Sequence, residues 1–413
     1  MPFNRQEAYI AEAVRSLQNQ SWGNFQAILV DNMATDDSLR VARETAGDDP
    51  RFVFEREEKP GIDQALNRGL ARATGEWVTF LDADDYFLPE RLDKTMKAMA
   101  APETDMVVCR GRFVDENGRA LEESDRLIFD QESFPLMLLQ RNICWSMSLI
   151  TVRREKLVSL GLFPQKYNAL LDMYLLLWAC GQHWQIAFVD EVLTGKRCHE
   201  SNYSANLLRQ MTQELSLTTE FVRQYPPVSR FYTRTTLCRL MTQKYLRGVQ
   251  YARRQGRYAD ILHFAENYVA DGWLIPSFYD YFHTIARWQV DGLSALLAQI
   301  RRIERTHPLD FFLHGQVAFA QGRYPEAEAI FAVAGRALHG HFPEADLGRA
   351  LSAAMTDRAR GKRLLRKVLN QKPDYRDAWL SWQQLDRSVP VQPPTLFPME
   401  STLNFLLQCG RSR

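Results

Sequence analysis

The sequence predicts an α/β domain on a mainly parallel sheet, followed by an all-α region. Helical and strand patterns alternate over the first ~100 residues, which implies helices layered on a sheet. Two of the strand patterns run straight into an aspartate, Asp31 and Asp82, and open α/β sheets gather ligands beyond the carboxyl ends of their strands. From about Asn206 onward strand signals fade and helical periodicity takes over.

Each element has its own signal. Ile10, Ala13, Val14 and Leu17 fall at helical spacing. Phe25 to Val30 is a short apolar run ending in Asp31, as in a buried strand. Leu39 and Ala42 mark a second helix, and Arg51 to Arg56 alternates like a strand. Ile62, Ala65, Leu66, Gly69, Leu70 and Ala73 form an amphipathic helix, and Trp77 to Leu81 is a strand entering Asp82. Pro89 suits the first turn of a helix carrying Leu92 and Met96.

Farther on, Gly315, Gly322, Tyr324, Ala327, Phe331 and Ala334 fit the tetratricopeptide pattern of small and aromatic packing residues, the alternative being plain helical packing. A degraded second copy carries Leu347-Gly348, Leu365, Val368 and Pro373, and Trp379 is expected to open a third helix. Four prolines in 388–398 read as a linker. The expected division is a domain over 1–205, a helical connector over 206–300, tetratricopeptide-like repeats over 301–390 and a tail over 391–413. Such repeats suit a protein partner.

Bulk properties exclude several classes. The 413 residues are 46% hydrophobic and 24% charged with a net charge of +1, so no global bias toward nucleic acid is expected. No apolar run approaches the ~20 residues that span a bilayer. Met1 to Arg5 has no apolar segment of the signal-peptide kind. Six scattered cysteines without a Cys-x-x-Cys fit a reducing cytoplasm.

Chemistry concentrates at Asp82-Ala83-Asp84-Asp85. Three carboxylates in one loop repel and need a cation or hydrogen-bond donors. Mg²⁺ or Mn²⁺ prefers oxygen ligands and completes its shell with waters and substrate phosphates. The alternative is an acidic turn capping the helix near Pro89.

The surrounding residues resemble the inverting GT-A glycosyltransferases of family 2, over about residues 1–205. Tyr9-Ile10 and Leu17 to Trp22 resemble that family's first helix and its exit, and Phe25 to Asp31 its second strand. Gly61, Ala65, Asn67 and Gly69 match its Gly-x-x-x-Ala-x-Asn-x-Gly helix, and Gly75-Glu76 with Asp82 to Asp85 its Asp-x-Asp strand. Arg153-Arg154 and Gly161-Leu162-Phe163 resemble the segment before the acceptor region, and Arg197-Cys198-His199 the closing Arg-x-His.

The resemblance implies a GT-A fold, a nucleotide-diphosphate-sugar donor and a saccharide, lipid-linked or protein acceptor, in surface polysaccharide or glycoconjugate synthesis. It makes the chain cytoplasmic or peripheral at the inner membrane face. Donor contacts then fall to Asp31, Asn32, Gly61, Asn67, Asp82 and Asp84. Asp31 would bond the base, and Asp82 the ribose or diphosphate. Asp84 would hold the Mg²⁺ or Mn²⁺, with His199 adding a ligand or touching the diphosphate; otherwise His199 is a polar loop residue. Asp172 would be the general base, and its alternative is a helix cap.

Departures from the family pattern matter. Leu171 stands where the family has Glu before Asp172, and Asn32-Met33-Ala34 replaces Asp-Gly-Ser. Pro2 and Asn4 resemble the end of the family's opening strand, so that strand is expected to be missing: either the chain is truncated, the favoured reading, or the domain tolerates a gapped or rearranged sheet with a damaged donor site. These departures favour a competing reading, a catalytically weak scaffold using its helical repeats. An aspartate-nucleophile phosphatase is disfavoured by Tyr86, where a small residue is wanted. Between Arg230 and Arg257 lie eight Lys or Arg and no acid. Their helical spacing scatters them, which favours a solvated or partner-facing helix over a membrane-contacting one.

Overall fold

The computed structural model describes residues 1–123, 134–140, 144–161, 163–199, 207–225, 234–262, 276–292, 297, 300, 302–303, 305, 307–336, 342–386 and 402. Leu162, Arg230, the proline-rich 388–398 and the tail apart from Thr402 lie outside them. The chain divides into two compact units, Met1–Phe231 and Tyr232–Arg413.

In the first unit, β1 (Pro2–Phe3), β2 (Ala27–Asp31) and β3 (Phe52–Arg56) form a parallel sheet in the order β1-β2-β3. Helix α1 (Ile10–Gln18) turns Ile10, Ala13, Val14 and Leu17 inward, the stripe its spacing requires. Ala42 and Ala46 of α2 (Ser38–Ala46) join them, with Leu29 of β2, in one apolar core. Helix α3 (Ile62–Arg72) buries Ala65 and Leu66.

The other strands are β4 (Trp77–Thr79), β5 (Tyr86–Phe87), β6 (Met106–Val114), β7 (Ala120–Glu123), β8 (Ile150–Arg153) and β9 (Ile186–Arg197). They form a second sheet in the order β4-β8-β6-β9-β5, with β7 on β6. The mainly parallel sheet expected from sequence therefore holds for the first three strands alone. In the second sheet only β6 and β9 run parallel; β4–β8, β6–β8, β6–β7 and β5–β9 are antiparallel. Antiparallel neighbours need no helical crossover, so alternation of helix and strand carries no information about them. Helices α4 (Arg91–Met99), α5 (Phe134–Gln140), α6 (Arg154–Leu160), α7 (Leu171–Gly181) and α8 (Leu207–Gln224) complete this unit.

The opening strand is not wholly missing. Pro2 pairs with Val30 and Phe3 with Asp31, and the carbonyls of Met1 and Phe3 accept from the Val30 and Asn32 N–H groups at 2.9 and 2.8 Å. Beyond these pairs the two sheets are separate. A cavity of about 940 Å³ lies between them, bordered by Ile28 and Val30 of β2 and by Trp77, Val78 and Thr79 of β4. The Met1 ammonium sits at its edge, donating to the Ile28 carbonyl at 2.9 Å, and burial lowers its pKa to about 5.

The second unit is helical: α9 (Arg234–Arg254), α10 (Pro276–Asp291), α11 (Pro308–Ala320), α12 (Tyr324–Arg336), α13 (Pro343–Thr356), α14 (Arg358–Gln371) and α15 (Arg376–Asp386). From α11 onward each helix packs on the next. A Cβ built on Gly315 or on Gly348 would meet the Phe331 ring at 2.8 Å, so one aromatic fills the space left by glycines on both neighbouring helices. A helix is found where Trp379 is expected to open one: α15 starts at Arg376, with Trp379 in its first turn and 47% exposed. On α9, Lys244 is buried while Arg247 and Arg254 are exposed, so this run forms no single basic stripe.

Candidate active site

Strand β4 leads through buried Phe80 and Leu81 into Asp82, and the Asp85 N–H closes a tight turn on the Asp82 carbonyl at 3.0 Å. The turn would gather three repelling carboxylates if nothing opposed them. Two serines from the segment before β8 do so. Ser148 Oγ lies 2.8 Å from Asp85 Oδ2 and accepts from the Asp82 N–H at 3.0 Å. Ser146 Oγ lies between Asp82 Oδ2 and Asp85 Oδ2, at 3.2 and 3.1 Å.

The end of β9 supplies the opposing charge. The Arg197 N–H donates to Asp85 Oδ1 at 3.2 Å. The Arg197 guanidinium is buried, bonds the Asp84 carbonyl and pairs with Glu12 of α1. It also lies 4.9 Å from the Tyr9 ring centroid. His199 stacks on the same ring at 4.9 Å, and its Nε2 is 3.1 Å from Asp84 Oδ2. Because an ionised carboxylate only accepts, this contact puts the proton on Nε2.

Electrostatics separates the three aspartates. Burial pushes Asp85 up to about 7, against the pull of Lys196. Burial also raises Asp82, only partly offset by Lys196. Burial acts upward on Asp84 too, but the His199 hydrogen bond and the Lys196 charge outweigh it, and Asp84 ends below the usual range. Lys196 is the common partner. Burial would lower its pKa, yet Asp85, Asp82, Asp84 and Asp172 together hold it above the ordinary lysine value.

Asp172 thus shares a neighbourhood with the cluster through Lys196. It is 8% exposed and sits inside the first turn of α7, accepting from the Met173 N–H at 2.7 Å. The N-cap position of α7 belongs to Leu170, which offers no side-chain cap. Asp172 thus satisfies a first-turn N–H of α7 from inside the helix rather than from its N-cap position.

The remaining expected donor residues lie at the end of β2 (Asp31, Asn32) and on α3 with its N-cap (Asn67, Gly61). Asp31 is buried and accepts from the Ala34 N–H at 2.7 Å, across a turn in which Met33 has φ 61°. That left-handed conformation is uncommon and strained for methionine. Asn32 does not face open space. Its Oδ1 accepts from the Gly61 N–H at 3.0 Å, and its Nδ2 donates to the Lys59 carbonyl at 2.7 Å. Asn67 likewise ties α3 to the Phe163 backbone in both directions, at 3.1 and 2.8 Å. Both amides hold loops in place. Gly61 has φ +132°, and an added Cβ there would come within 2.6 Å of Asp63 Oδ1. Only glycine suits that position.

Lys196, Ser146, Ser148 and Glu12 were not legible as site residues. Lys196 adjoins the Arg-x-His motif, and that adjacency was the one available signal. The serines and Glu12 reach the cluster only through the tertiary fold.

Residues 1–156 match the model of glycosyl transferase family 2. The Bacillus subtilis protein EpsH, named as a glycosyltransferase, is 35% identical over 103 residues, which is 25% of this chain and 30% of EpsH. The GalNAc(5)-diNAcBac-PP-undecaprenol beta-1,3-glucosyltransferase of Campylobacter jejuni is 36% identical over 97 residues, 23% of this chain and 31% of its own. The chain therefore spans about a third of the length of these relatives. The structure of S. aureus TarS 1–349 in complex with UDP-GlcNAc aligns at 16% identity with a TM-score of 0.45, covering 78% of this chain and 90% of that one. Residues 1–156 thus carry a glycosyl transferase family 2 domain.

Proposed function

We propose that the first unit transfers a sugar from a nucleotide-diphosphate donor to an acceptor hydroxyl with inversion, and that a divalent cation assists. The observation that carries this reading is the carboxylate turn Asp82–Asp85 facing Lys196, Arg197 and His199, with Asp172 nearby.

The chemistry of these residues fits Mg²⁺ or Mn²⁺. Among the described residues no group of three His, Cys, Asp or Glu is arranged to hold a metal. A hard cation that takes its other ligands from diphosphate oxygens and water needs only one or two protein carboxylates. Asp84, ionised and least exposed to repulsion, would hold it. His199 would join only after releasing the Nε2 proton it now directs at Asp84. When bound, the cation neutralises charge on the departing nucleoside diphosphate.

The protein's own residues do the rest. Asp31 accepts a donor of the nucleotide base, Asp82 orients the ribose or diphosphate, and Asn32, Gly61 and Asn67 keep the loops around that pocket in shape. Lys196 adds positive charge where the leaving group gathers negative charge. As the acceptor oxygen bonds to the anomeric carbon and the bond to diphosphate breaks, Asp172 takes the hydroxyl proton. The helical array of the second unit serves partner or acceptor placement. Polysaccharide or glycoconjugate synthesis is the natural setting, and the name of the Campylobacter jejuni relative carries a lipid-linked acceptor of that kind. Metal-dependent hydrolysis of a panel of nucleotide sugars tests the reading; no turnover of any donor would leave the scaffold reading in its place.

A further inference from the structure

We propose that the flank formed by α14 and α15 docks on an anionic phospholipid surface. Helix α14 carries six Lys or Arg and no acidic residue, and residues 358–386, spanning α14 and α15, hold eight Lys or Arg against Asp374, Asp377 and Asp386. Gly361, Leu365, Val368 and Leu369 face inward, which confines the charges to the outer side. Arg360 is paired with Glu328, and Arg358 with the Leu385 carbonyl. Arg363, Arg366 and Lys367 are exposed beyond these.

An apolar component adjoins the cationic one. Lys362 and Arg366 lie over the Trp382 ring at 6.0 and 5.5 Å. One turn earlier on α15, Trp379 is 47% exposed, as is Leu380 beside it. The Trp379 indole N–H donates to the Pro373 carbonyl at 2.7 Å, so its exposed ring carries no unmet donor. Basic side chains meet lipid phosphates while an amphipathic ring sits at headgroup level. A soluble polyanion would match the charges but gain nothing from Trp379 and Leu380. Among the described residues no helix is long and apolar enough to cross a membrane, so the attachment is peripheral. This inference does not rest on the donor site.

The test is co-sedimentation of the full chain with vesicles of phosphatidylglycerol in phosphatidylcholine, and with phosphatidylcholine alone. Binding is expected only to the anionic vesicles and is lost at high salt. Neutralising Arg363, Arg366 and Lys367 to Gln should weaken it by about fivefold per charge. Trp379→Ala should weaken it further, and Trp379→Phe should retain it. Equal binding to both vesicle types, undiminished binding of the neutralised variant, or capture by polyphosphate without any vesicle binding would each overturn the proposal. If the neutralised variant does not keep the parent's melting temperature, the salt and lipid dependence of the parent and the Trp379 pair still decide.

Discussion

Asp85 is the residue whose environment most constrains the site. Burial pushes its carboxyl up to about 7, against ~3.9 for a free aspartate. The folded state keeps a proton that the unfolded chain has released, so the group's contribution to stability is present at low pH and is lost as pH rises toward about 7. Asp85→Asn removes that dependence, since an amide oxygen still accepts from Arg197 N–H and an amide N–H₂ can face Ser146 and Ser148. Its melting temperature should gain on the parent as pH rises from about 4 to about 7 and stay level above that; a difference independent of pH would contradict the assignment. Asp172 gives a second test. Asp172→Asn should lower turnover by roughly 10²–10⁴-fold with donor affinity nearly kept, and unchanged turnover would remove it as the base. Of these residues, Asp82, Asp84, Asp172 and His199 were legible because each sits in a local motif. Lys196 was not: its importance comes from four aspartates brought to it by two separate segments.

At the level of elements, periodicity located α1, α2, α3, β2 and β3 because each has one buried face or a short apolar run. It failed at β6 and β9. Strand β9 contains Asp190-Glu191 in its middle, and its register against β6 shifts at Cys109/Arg110 and Arg110/Gly111. An irregular register disrupts the alternation that marks a strand. The gap between β2 and β4 carries its own prediction. Strand β4 is an edge strand, and with Ile28 and Val30 of β2 it borders the cavity; each buried hydrogen bond left unmade there costs about 1–3 kcal/mol. A short apolar strand fused ahead of Met1 should continue β1, remove the buried ammonium and raise the melting temperature. The expected rise is about 2–4 °C per kcal/mol gained for a domain of this size. Hydrogen exchange at Ile28 and Val78 should slow with it. No change in either would show that the cavity does not accept a strand.

At the level of the whole molecule, the chain has two compact units. The site residues all lie within Met1–Phe231, so a protein ending there should retain metal-dependent donor binding. It should lose transfer to the natural acceptor if the helices of the second unit place that acceptor. Loss of donor binding on deletion would instead make those helices part of the site. The central claim is that the carboxylate turn after β4 holds a nucleotide-diphosphate sugar through a divalent cation. Titration calorimetry of the full chain against a panel of nucleotide sugars, with and without Mn²⁺, tests it most directly when repeated on Asp84→Ala. The account predicts saturable binding of at least one donor that requires Mn²⁺ in the parent and disappears in a folded Asp84→Ala. Donor binding that is indifferent to the metal, or equally strong in the variant, would contradict it.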